Sequence, residues 1–78
     1  MRKKRDCIVI SFDKTTDAMA MEKLCRAGGI PGRLIPLPTQ ISAGCGLSFM
    51  MLPAEYKIWK KDLEKLNIPF SGIYEIIL

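Results

Sequence analysis

The chain has 78 residues and a mass of 8.8 kDa, enough for one domain whose thin core buries only about 60% of the surface the unfolded chain exposes. Hydrophobic residues make up 49% and charged residues 26%, which excludes a disordered chain. The formal charge of +4 has the sign of a nucleic-acid-binding protein, but four of the twelve basic residues are Arg2, Lys3, Lys4 and Arg5; from Asp6 to Leu78 eight basic and eight acidic residues balance. Residues 1–5 therefore read as a basic arm on a neutral domain, residues 6–78.

Taken in chain order, Cys7-Ile8-Val9-Ile10-Ser11-Phe12 is a short β-branched, apolar run between charges, the pattern of a buried strand. Asp13-Lys14-Thr15-Thr16 follows as a turn and helix start, with a Thr hydroxyl available to cap the first free N–H groups. The helix runs to about Ala27, with Ala18, Met21, Leu24 and Cys25 on one face and an i,i+4 pair of Glu22 and Arg26. Gly28-Gly29 ends it. Gly32 to Pro38 predicts a second strand, confined to a sheet edge by Pro36 and Pro38. Thr39 to Gly44 is a polar, small-residue loop, and Gly46 to Leu52 a third strand. Pro53 opens a second helix with Tyr56, Trp59, Leu63 and Leu66 as its apolar stripe, ended by Asn67. Ile58 falls off that stripe without explanation. Ile73 to Leu78 is the last strand.

The order β-α-β-β-α-β, with two crossovers and one hairpin, predicts an α+β, ferredoxin-like fold: a four-stranded antiparallel sheet with both helices on one face. Strand order 4-1-3-2 puts the first strand in the centre and the proline-bearing second strand at an edge. It also gathers the start of the first helix, the Thr39–Gly44 loop and the 67–72 turn at one end, opposite the basic arm.

Cys7, Cys25 and Cys45 are odd in number and contain no C-x-x-C pair, which fits poorly with a disulfide framework. Without a histidine, three thiols cannot complete the ligand sets of structural zinc, so neither a metal nor a cofactor is expected. The Cys7–Phe12 run is shorter than the ~7–15 residues of a signal-peptide core, and no run nears the ~20 needed to span a bilayer. The expected compartment is the cytoplasm, with reduced thiols.

Ser42-Ala43-Gly44-Cys45-Gly46 is the stretch richest in chemistry. A thiol between two glycines has little steric cover. Backbone N–H groups and the nearby helix N-terminus at Thr15 and Thr16 would favour its thiolate. Such a thiolate can attack, or hold, an electrophilic sulfur or selenium. A buried cysteine at the head of a strand, with glycines for turn geometry, accounts for the same letters. Cys7 and Cys25 fit buried positions in the first strand and first helix. No histidine serves as a general base, so an independent enzyme is not expected. The RNA-recognition signature is missing, and no specific nucleic acid is expected. The Phe49 or Met50 side of the third strand is a candidate protein interface.

The run Arg33-Leu34-Ile35-Pro36-Leu37-Pro38, followed by Ile41-Ser42-Ala43-Gly44-Cys45-Gly46-Leu47, resembles the selenium/sulfur carrier-like family of small bacterial proteins. The strand ending Ser11-Phe12, the Thr-rich helix start, Glu22-Lys23, Gly29-Ile30 and Gly72-Ile73-Tyr74-Glu75-Ile76 extend the likeness over most of the chain from Cys7 onward. The resemblance implies a carrier that holds a persulfide or selenosulfide on Cys45, with Ser42, Gly44 and Gly46 as its supporting loop, and partners among sulfur- or selenium-transfer proteins. Thr39 and Met50 depart from it, standing where a basic residue is frequent. A non-catalytic interaction module with a structural Cys45, or weak self-association through a sheet edge, is the alternative.

Overall fold

A computed structural model describes residues 5–41 and 46–78 of the chain. Six elements follow one another: β1 (Asp6–Ser11), α1 (Thr15–Gly28), β2 (Arg33–Pro36), β3 (Leu47–Met51), α2 (Pro53–Leu66) and β4 (Gly72–Ile77). The four strands form one antiparallel sheet in the order β2-β3-β1-β4, which is 4-1-3-2 read from the other edge. β1, the most apolar strand, lies inside, and β2 with its proline lies at an edge, where a missing N–H breaks no ladder.

The register sorts the strands into two faces. Ile8, Ile10 and Phe12 share one face with Phe49 and Met51, and these pack under Ala18, Met21 and Cys25 of α1 and Leu63 of α2. This is the main core. Tyr56, Trp59 and Leu66 close its margin from α2. Leu24 does not join the buried stripe of α1; it is 41% exposed, because Met21 and Cys25, four residues apart, already fill the line facing the sheet. Phe49 is wholly buried in the main core, so the expectation that its side of the sheet is an open interface fails.

The helix ends follow backbone chemistry more than side-chain capping. Lys14 is the N-cap of α1 and has no side-chain cap bond, so neither Thr15 nor Thr16 caps the helix; both lie inside its first turn. Gly29 closes α1 in the left-handed conformation at φ 73°. In α2, Glu55 Oε1 accepts the N–H of Leu52 at 2.9 Å, half of a capping box, and Pro53 supplies the preset first turn. Asn67 ends α2 at φ 58°, a conformation asparagine tolerates better than most residues.

Two strands are shorter than the sequence predicts: β2 stops at Pro36 and β3 spans only Leu47–Met51, while β4 keeps its length and is displaced by one residue to Gly72–Ile77. At the other end the ladder is longer. Arg5 and Leu78 exchange both backbone hydrogen bonds at 3.1 Å, so pairing continues one step beyond Asp6. Among the described residues, no helix is long and apolar enough to cross a membrane.

Candidate functional site

The face of the sheet turned away from the helices is not bare. Cys7 and Val9 of β1 are buried there under Ile41, with Ile35, Leu37, Met50, Tyr74 and Ile76 around them. The cover is the connection between β2 and β3. The N–H of Leu37 donates to the carbonyl of Gly46 at 2.9 Å, so the connection leaves and re-enters the sheet at one point. Between these ends, the N–H of Ile41 donates to the carbonyl of Pro38 at 3.0 Å in a tight turn, which drives the Ile41 side chain onto the sheet. Gln40 Nε2 reaches the carbonyl of Ile77 at 3.5 Å.

These contacts revise the predicted loop in two respects. It is not polar throughout, because Ile41 is only 5% exposed and works as an anchor. Nor does it stay at the Ser11 end of the sheet: Ile77 pairs with Asp6, at the opposite end of β1.

Gly46 is exposed with φ 98°, a left-handed value that glycine alone adopts freely, and among the described residues other than its chain neighbours no heavy atom lies within 4 Å of where its Cβ would be. Ser42, Ala43, Gly44 and Cys45 lie outside the described residues. Thr15 and Thr16, both exposed, open α1 at the end of the sheet where Ser11 pairs with Ser48, two residues after Gly46. α1 packs on β2 and β3, the two strands that flank the loop.

The other two thiols are fully accounted for. Cys7 is 2% exposed, with Sγ 3.6 Å from the carbonyl of Arg5. Cys25 is 1% exposed, with Sγ 3.6 Å from Met21 Sδ, and burial pushes its pKa up to about 11, which suppresses the nucleophilic thiolate.

This end also holds two buried serines. Ser11 and Ser48 face each other across β1 and β3, and both are wholly buried. Ser11 Oγ lies 2.8 Å from Ser71 Oγ, and Ser48 Oγ donates to the carbonyl of Ile35 at 3.4 Å. Two isolated serines carry no pattern in the sequence. Only the strand register reveals that they form a polar cluster beside the point where the loop re-enters at Gly46.

On the helix face, a groove of about 440 Å³ runs between α2 and β4, lined chiefly by Ile10, Tyr56, Leu63, Ile68, Phe70 and Ile73. Phe70, just before β4, and Ile73 and Ile77 within it are 52%, 40% and 56% exposed, with the exposed Glu75 between the two isoleucines.

The family model described as "Putative Se/S carrier protein-like" matches residues 6–75 of the chain. No curated protein and no solved structure matches it significantly.

Proposed function

Because this chain belongs to the selenium/sulfur carrier-like family, we propose that it carries sulfur or selenium on Cys45 and passes that atom to a partner protein. The observation that carries this proposal is the state of the other thiols. Cys7 and Cys25 are both buried in packed clusters, which makes each a poor carrier and leaves Cys45 as the remaining candidate among the three cysteines of the sequence. Gly46 supports it further: it is exposed and left-handed, so the residue that follows Cys45 in the chain carries no side chain.

In the proposed reaction, the Cys45 thiolate attacks the outer sulfur of a persulfide on a donor protein. A new S–S bond forms at Cys45, the donor's S–S bond breaks, and the donor cysteine leaves as a thiolate. The exchange is redox-neutral and needs no cofactor. Handing the atom on repeats the same step with an acceptor thiolate. Ser42, Gly44 and Gly46 serve as the small-residue frame of the loop, and the α1 N-terminus at Thr15 and Thr16 as a source of positive potential favouring the thiolate. The chemistry suits the reducing cytoplasm, where the free thiol persists. Thr39 withholds the positive charge that a basic residue would add, whereas Met50 pairs with Arg33 toward the other end of the sheet.

Incubation with a cysteine desulfurase and cysteine, followed by intact-mass measurement, is expected to add one sulfur to the wild type and none to Cys45→Ala. Equal loading of the variant would overturn the assignment. The exposed apolar edge at Phe70, Ile73 and Ile77 favours a second activity, docking or weak self-association through β4. A concentration-independent monomer by sedimentation, unchanged in Ile73→Lys, would remove self-association.

A further inference from the structure

The end of the sheet opposite Ser11 holds a second cleft. β1 and β2 begin there, β3 ends there, and α2 starts there at Pro53. An open cleft of about 280 Å³ lies among them, lined chiefly by Arg5, Gly32, Arg33, Met50, Leu52 and Glu55. Its two arginines come from separate segments and are held by backbone pairing. Arg5 is tied to Leu78 by two hydrogen bonds at 3.1 Å, and Arg33 sits in register with Met50.

Among the described residues, neither guanidinium has a carboxylate at ion-pair distance. Glu55 also lines the cleft, but its Oε1 is engaged by the Leu52 N–H at 2.9 Å and holds the turn into α2. Asp6, the other acid at this end, pairs toward β4 and does not line the cleft. The first turn of α2 adds the positive end of its dipole. Gly32, which also lines the cleft, is confined to glycine by the core behind it: a Cβ there would meet the Phe49 ring at 2.5 Å.

We propose that this cleft docks an acidic segment of a partner protein, with Arg5 and Arg33 taking its carboxylates and Met50 and Leu52 an apolar residue between them. Paired guanidinium forks match carboxylates bidentately, and the apolar floor suits a peptide side chain. A nucleic-acid strand fits less well. It needs a continuous cationic track with aromatic platforms, whereas this cleft has two cations, one carboxylate and no aromatic lining. The docking site is independent of the role of Cys45.

The test is a titration of the ¹⁵N-labelled full chain with a short blocked peptide of alternating glutamate and leucine. Amide shifts are expected at Gly32, Arg33, Leu52 and Glu55. Affinity should fall about tenfold or more in the Arg5→Gln, Arg33→Gln double variant, the loss of roughly one charge-assisted contact. Replacing Arg2, Lys3 and Lys4 together by Gln should change it less than threefold, a generic charge effect. Absence of shifts at millimolar peptide, an unaffected double variant, or a larger loss from the triple variant would each overturn the proposal. So would tighter binding at these residues of a single-stranded oligonucleotide or of phosphatidylserine vesicles.

Discussion

Leu37 donates its N–H to the carbonyl of Gly46 at 2.9 Å, and this one bond closes the segment that contains Cys45. The closure joins the loop to the β2–β3 ladder, while Ile41 anchors its middle on the buried pair Cys7 and Val9. The loop is therefore fastened at both ends and at one internal point.

The anchor is directly testable. Ile41→Ala is expected to cost about 2–3 kcal/mol, a buried-isoleucine truncation on a partly relaxable loop. It should also uncover Cys7, which lies beneath Ile41. Urea unfolding and native-state alkylation together check this. A variant of wild-type stability with Cys7 still protected would show that Ile41 anchors nothing.

Thiol reactivity should divide the three cysteines. In native protein at neutral pH, one cysteine per chain is expected to label quickly with iodoacetamide, and peptide mapping should place it at Cys45. Cys7 and Cys25 are nearly inaccessible and should label only as the chain unfolds. Rapid native labelling of Cys25 would contradict its packing against Met21.

Alkaline stability should carry the signature of Cys25. Its thiol ionises near 9 when unfolded and near 11 in the folded protein, so between these values the unfolded state binds fewer protons. Stability contributed by this group is complete below about pH 9 and falls as pH rises towards 11. Cys25→Ala should be less stable at neutral pH by about 1–2 kcal/mol, with the gap narrowing across that window. A gap that stays constant or widens would be inconsistent with a buried neutral thiol.

Gly32→Ala should destabilise by about 2–4 kcal/mol, combining backbone strain with overpacking. Gly32 holds φ 134°, and a Cβ would sit 2.5 Å from the Phe49 ring and 3.0 Å from the Met50 carbonyl. Thermal unfolding measures it. Unchanged stability would mean that the turn into β2 adopts another path.

Much of the fold was legible because it depends on period and punctuation. The β-branched run of β1, Gly29 after α1, Pro53 at the start of α2 and Pro36 at the end of β2 are local signals, and each marks the element or boundary it predicts. What escaped depends on register and tertiary packing. Ile41 reads as one apolar letter in a polar loop until the loop is laid across the sheet. Ser11 and Ser48 become a cluster only when β1 is paired with β3. Thr15 and Thr16 look like caps by composition, yet the chain enters α1 one residue earlier, at Lys14. Ile58 remains 72% exposed on α2, and nothing in the structure explains it.

The central claim is that Cys45 both accepts and releases a sulfur atom. The most direct measurement loads the chain from a cysteine desulfurase and isotopically heavy cysteine, removes the donor, and then adds cyanide, which takes the outer sulfur of a persulfide as thiocyanate. The label should map to Cys45 after loading, leave as heavy thiocyanate, and return the chain to its free-thiol mass. Label on Cys7 or Cys25, or label that never enters or never leaves Cys45, would contradict the carrier function.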